Sequence, residues 1–223
     1  MPYIHDIPTY WDHYADGVAD HDDAAEAALK AAFGWTQYPE HGPGDELLGG
    51  PSSTLELGFG RGDAVAALAT KGIDATGIDI SALQVEHAHR RWGHLAGARF
   101  AHGDVVEFLS HADRRWDAIY SIWGALWFTD PDTLLPVAFD RLAPGGRLVF
   151  AHAPAVPGSY GIQGMYGNGF DGRQVWVYRW AYEPEMWAEI LQGHGFIDVT
   201  ANVHPAPLAD HVGTLIVTAV RAE

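Results

Sequence analysis

The sequence predicts an α/β fold in which a mostly parallel sheet is doubly wound, with helices on both faces. Three observations predict it. Short apolar runs alternate with helix-length segments from Thr54 to Ala153, a glycine turn follows the first run, and the next two runs close on Asp79 and Asp104. Alternation of this kind builds βαβ units on a parallel sheet. Short right-handed crossovers then bring the strands' carboxyl ends to one edge. Ligands bind such sheets at that edge, where the strand order reverses.

Composition agrees with one globular domain, or one domain with an appended lid. The 223 residues are 48% hydrophobic and 19% charged, which excludes a disordered tail or a coiled coil. A formal charge of −16 argues against nucleic-acid and anionic-membrane partners. Thirteen histidines make the magnitude of that charge depend on pH. Cysteine is absent, so disulfides, thiolate metal sites and cysteine nucleophiles are excluded together. No apolar run approaches the ~18 residues that cross a bilayer. Met1–Asp12 lacks the basic flank and apolar core of a signal peptide, so a cytoplasmic protein is expected.

In chain order, helices are expected first at Thr9–Asp16 and Asp22–Phe33. In the second, Asp22 and Asp23 precede an alanine-rich run that Gly34 ends. Glycines and prolines make Trp35–Pro51 a loop. Strands follow at Thr54–Gly58, Asp74–Ile80, Arg99–His102, Asp117–Ile122 and Arg147–His152. Between them lie helices at Ala64–Thr70, Leu83–Leu95, Val105–Leu109 and Asp132–Leu142. Pro154–Gly172 is too irregular for a regular element. Gln174–Tyr182 alternates valines with aromatics, as an extended strand does. A helix at Pro184–Gln192 and strands at Phe196–Val203 and Gly213–Val220 complete the chain.

The most informative stretch is Leu55-Glu56-Leu57-Gly58-Phe59-Gly60-Arg61-Gly62-Asp63. Glycine is needed where backbone turns sharply and lies against a ligand. A dinucleotide fingerprint requires glycine where Asp63 stands, and no lysine occupies the phosphate-loop position. Asp79, at the end of the second strand, can accept both hydroxyls of a ribose. Asp104, after the third, can accept from an adenine amino group, with Ile80 and Val105 as apolar faces for the ring.

Together these segments resemble the class I S-adenosylmethionine-dependent methyltransferases. Glu56–Gly62 matches the family's first motif, Asp79 its ribose acid and Gly103-Asp104-Val105 its adenine-binding motif. Trp116-Asp117-Ala118-Ile119-Tyr120-Ser121 matches its fourth strand, and Leu142-Ala143-Pro144-Gly145-Gly146-Arg147-Leu148 the turn before its fifth. The resemblance covers residues 54 to 153. It implies a Rossmann-like, seven-stranded sheet ending in an antiparallel hairpin, with S-adenosylmethionine as cofactor and S-adenosylhomocysteine as product. It also implies that the glycine turn, with Gly60, cradles the cofactor. The Gly58 backbone and the Ser121 carbonyl would then hold the methionine amino group, supported by Glu56. Residues 1–50 become a helical cap that brings Trp11 and Tyr14 to the cofactor. Residues 51–223 become the main domain, with an aromatic lid at about 154–182.

The departures narrow the subfamily. Ser121-Ile122-Trp123-Gly124 lacks the Asn/Asp-Pro-Pro-aromatic signature of enzymes that methylate nucleobase amino groups. Tyr120 and Ser121 stand where metal-dependent catechol enzymes carry a carboxylate, so no metal is expected. The style is that of small enzymes of bacterial natural-product pathways. Methyl transfer needs alignment, desolvation and, for a protonated nucleophile, a base. Aromatic faces suit the cationic sulfonium. Candidate acceptor-pocket residues are Trp123, Trp127 and Phe128 after the fourth strand. Tyr160, Tyr166, Phe170, Trp176, Tyr178 and Trp180 add a second group. His152, ending the fifth strand, is the candidate general base. The expected activity is methyl transfer to an oxygen or nitrogen of a small aromatic or amine-bearing metabolite, by a monomer or homodimer. The alternatives are a peptide, lipid or carbon acceptor, a nicotinamide-dependent oxidoreductase, and a non-catalytic protein that binds S-adenosylmethionine.

Overall fold

The computed structural model describes residues 7–18, 24–166 and 176–223. Two helices, α1 (Ile7–Val18) and α2 (Ala25–Lys30), and a 3-10 turn at Asp45–Leu48 precede the sheet. The alternating region follows as β1 (Ser53–Leu57), α3 (Asp63–Thr70), β2 (Asp74–Asp79), α4 (Ala82–Trp92), β3 (Ala98–His102) and α5 (Val105–His111). It continues with β4 (Trp116–Ile122), the short α6 (Ala125–Phe128), α7 (Pro131–Arg141) and β5 (Leu142–His152). Then come β6 (Gly161–Tyr166), β7 (Trp176–Ala181), α8 (Pro184–Gly193), β8 (Phe196–His204) and β9 (Thr214–Arg221).

The seven-stranded sheet has the order β3-β2-β1-β4-β5-β9-β8. The first five strands are mutually parallel, and β9 and β8 close the sheet as an antiparallel pair. Strand order therefore reverses between β1 and β4, which opens a crevice at their carboxyl ends. The period-2 alternation of β1 explains the two cores. Leu55 and Leu57 pack on one face with Leu109, Leu134, Trp187 and Leu191. The opposite face packs Tyr120 and Val149 against Trp35, Leu68 and Trp92. Side chains of Ser81, Asp104 and Asp130 accept backbone N–H groups at the starts of α4, α5 and α7. These caps fix where each helix leaves the sheet edge.

Three elements differ from expectation. α2 is shorter than Asp22–Phe33, and its acidic lead, Asp22 and Asp23, lies outside the described residues. β5 begins at Leu142 rather than Arg147, because Leu142 already pairs with Trp116 before the register shifts around Pro144-Gly145-Gly146. The stretch 154–172 is not wholly irregular: β6 pairs antiparallel with β7 as a separate two-stranded sheet. Its glycines conceal a strand whose partner supplies the order. Among the described residues, no helix is long and apolar enough to cross a membrane.

Candidate active site

A cavity of about 640 Å³ opens at the carboxyl ends of β1 to β4. Its floor is the turn after β1. Gly58 adopts φ 77°, where a Cβ would lie 2.6 Å from the Ala125 nitrogen, so only glycine fits. Its N–H donates to the Ile78 carbonyl at 2.8 Å, which ties the turn to β2. Gly60, at φ 53°, donates its N–H to Asp79 Oδ2 at 2.9 Å, and a Cβ there would face open space. The Ser81 N–H donates to Asp79 Oδ1, also at 2.9 Å. Asp79 is only 8% exposed, and burial raises its pKa against the lowering effect of those N–H donors. Parallel register sets Glu56 beside Tyr120, whose hydroxyl donates to Glu56 Oε2 at 3.2 Å. Burial raises the Glu56 pKa well above the carboxylate range, and the charges of Asp63 and Asp79 add to the rise. Ile80, Asp104 and Val105 line the β2–β3 side, with Asp104 Oδ1 accepting the N–H groups of Val106 and Glu107.

The β4 side is aromatic. Trp123 lines the cavity at φ 53°, a strained conformation for a bulky residue, and its Nε1–H donates to the Trp35 carbonyl at 3.0 Å. Phe128, Asp130 and Trp180 line the same side, and α1 covers it with Trp11 and Tyr14. Trp11 meets Phe128 edge-on at 4.8 Å and Tyr14 at 5.7 Å. Asp12, which sequence reasoning passed over, pins α1 in place. Its Oδ1 accepts the Ser81 hydroxyl at 2.5 Å and the Leu83 N–H at 3.1 Å. No local motif announces a carboxylate whose partners lie some 70 residues away.

The family model for a methyltransferase domain matches residues 54–146. The trans-aconitate 2-methyltransferase of Deinococcus radiodurans is 29% identical over 183 residues, covering 74% of this chain and 66% of its own. Among solved structures, the 1,6-didemethyltoxoflavin-N1-methyltransferase of Burkholderia thailandensis was crystallised with 1,6-didemethyltoxoflavin and S-adenosylhomocysteine. It superposes with a TM-score of 0.63 at 22% identity, over 100% of this chain and 92% of its own. The CcbJ methyltransferase of Streptomyces caelestis superposes at 0.66 and 15% identity, over 96% and 98%. The chain is thus similar to methyltransferases across its motif-bearing region, and it shares their fold. It spans between 35% and 66% of the length of the curated relatives it matches.

The cavity fits S-adenosylmethionine, the cofactor that the sequence motifs imply. The glycine turn leaves open space at Gly60, a buried carboxylate at Asp79 calls for hydroxyl donors, and Asp104 uses only Oδ1 in capping α5. Several expected residues lie elsewhere. Ser121 does not line the cavity: its hydroxyl donates to the Leu57 carbonyl at 2.8 Å and accepts the Leu126 N–H, buckling β1 to α6. Gly58, by contrast, lines the cavity, and its N–H bond to Ile78 does not engage the carbonyl that a donating amino group would need. His152 does not line it either. It is fully buried, with its ring stacked 5.4 Å from Trp127 and 5.8 Å from Phe150 and its Nδ1 against the Ala153 carbonyl. Burial lowers its pKa to about 4. A strand-end position did not decide which way the ring points. Trp127 is likewise absent from the lining, its outer face covered by the Arg179 guanidinium at 5.1 Å. Tyr160 is on the surface, where its hydroxyl donates to Glu183. The side chains of Tyr166 and Trp176 lie outside the described residues.

Proposed function

We propose that this chain transfers a methyl group from S-adenosylmethionine to an oxygen or nitrogen of a small metabolite, in bacterial natural-product biosynthesis. One observation carries the proposal: a single cavity joins the acidic β2–β3 wall to the aromatic β4 wall across the glycine turn. When bound, S-adenosylmethionine supplies a methyl group already activated by its sulfonium. The protein's residues then bind, orient and exclude water. Asp79 accepts the ribose hydroxyls, the second oxygen of Asp104 accepts the adenine amino group, and Ile80 and Val105 flank the base. Trp11, Trp123, Phe128 and Trp180 keep the acceptor side dry, so that alignment replaces bimolecular encounter. The Burkholderia neighbour, named for a small toxoflavin precursor, supports a small acceptor.

A nicotinamide-dependent reaction is disfavoured by Asp63. Its carboxylate stands at the first residue of α3, lines the cavity, and would meet a pyrophosphate at the helix N-terminus. Two measurements test the proposal. Calorimetry should show S-adenosylhomocysteine binding that Asp79→Ala weakens about 10- to 100-fold, the scale of one or two hydrogen bonds to a charged group. Radiolabelled methyl should pass into small molecules of a metabolite extract, and less so with Asp79→Ala. Absence of binding would overturn the cofactor assignment, and binding without transfer would leave a non-catalytic protein.

A further inference from the structure

The charges lining the cavity are unevenly distributed. Among the described lining residues, Glu56, Asp63, Asp79, Asp104 and Asp130 are acidic, and Arg61 is the single cation. The Arg61 guanidinium lies 3.5 Å from Asp63, so its charge is directed to the β1 turn rather than to the acceptor side. Strand order places Asp79 and Asp104, after β2 and β3, on one side of β1. The main-sheet strands that follow β4 lie on the other. Among the described lining residues that follow β4 in the chain, Asp130 is the one charged group. Its Oδ1 accepts the Asp132 N–H at 3.0 Å, which leaves Oδ2 outside the cap.

Four rings from four different segments line the same cavity: Trp11 from α1, Trp123 from the turn after β4, Phe128 from α6 and Trp180 from β7. Three of the four are held by visible contacts: Trp123 by the Trp35 carbonyl, and Trp11 and Phe128 by each other. Ring faces attract cations and offer anions nothing. Asp130, exposed at the N-cap of α7, adds a full negative charge to that lining.

We propose that the acceptor carries an alkylammonium group, held against Asp130 within this ring of aromatic side chains, and that Asp130 sets that preference. The proposal rests on the methyl-transfer reading and adds the chemical class of its acceptor. It also sets this chain apart from the relatives named for trans-aconitate, a tricarboxylate that would face Asp130 with no described lining cation opposite it.

The test uses the full chain saturated with S-adenosylhomocysteine and three probes of known charge: 2-phenylethylamine, its anionic counterpart 3-phenylpropionate, and trans-aconitate. Calorimetry at neutral pH should show 2-phenylethylamine binding at least about tenfold more tightly than either anion. Asp130→Asn, which retains a helix-capping side chain, should weaken the amine about three- to tenfold. Asp130→Lys should reverse the preference in favour of 3-phenylpropionate, an outcome that mere loss of packing does not produce. Thermal melting checks that both variants fold. If S-adenosylhomocysteine itself fails to bind, the underlying methyl-transfer reading falls and this one with it. If it binds but the anions match the amine, or neither variant shifts the preference, the acceptor assignment alone is overturned.

Discussion

Burial keeps the His152 imidazole neutral, with a pKa lowered to about 4, between the rings of Trp127 and Phe150. An unfolded histidine takes up its proton near 6.5. Between about pH 6.5 and 4 the unfolded chain therefore binds a proton at this residue that the folded chain refuses, and stability falls as pH falls through that window. His152→Phe retains the stack and removes the proton site. Urea unfolding at pH 7 and pH 4.5 should show the wild type losing about 2 kcal/mol more than the variant. Equal losses would mean that the ring titrates in contact with water. At this scale the cavity positions of Asp79 and Asp104 were legible in the sequence, because the strand ends of a parallel sheet gather at one edge. His152 was not, since the same strand end permits a ring to face the cavity or the core, and the rings of Trp127 and Trp187, from other segments, join Phe150 in deciding the matter. Asp12 was illegible for a similar reason: its partners, Ser81 and Leu83, lie some 70 residues along the chain.

Helices and strands show the same division. The βαβ elements were legible because each buries its own periodic apolar face. β6 was hidden by its glycines and is ordered by pairing with β7. α1 was recognisable as a helix, yet its attachment was not. It is fastened on one flank by Asp12 to the start of α4, and on the other by Tyr10 and Trp11 against Phe128 and Val177. Through Ser81, the first of these contacts joins Asp79, the residue assigned to the ribose, to the helix covering the cavity. Asp12→Ala removes two acceptor contacts, one of them to a backbone N–H, worth about 1–3 kcal/mol together. If α1 must be docked to enclose the ligand, S-adenosylhomocysteine affinity should drop about tenfold. Asp12→Asn, whose amide oxygen still accepts from Ser81 and Leu83, should recover most of it. An Asp12→Ala affinity within twofold of wild type would show that α1 covers the cavity without contributing to it.

For the whole molecule, the sheet order and the charge act together. Reversal between β1 and β4 places the carboxyl ends of both strands around one crevice, and the acidic side chains that collect there belong to a chain with a formal charge of −16. A field of that sign distinguishes the two forms of the cofactor. S-adenosylmethionine bears a sulfonium, and so one positive charge more than S-adenosylhomocysteine, at otherwise equal size. Long-range attraction should hold the first and be nearly indifferent to the second, which favours release once the methyl group has gone. Salt separates this effect from short contacts, because the screening length shrinks from roughly 20 Å at 0.02 M to about 4 Å at 0.5 M. Over that range, calorimetry should find affinity for S-adenosylmethionine falling about three- to tenfold while that for S-adenosylhomocysteine stays within twofold. Parallel losses for both ligands would place the discrimination in short contacts at the sulfur and leave the molecule's acidic field no part in the exchange of one for the other.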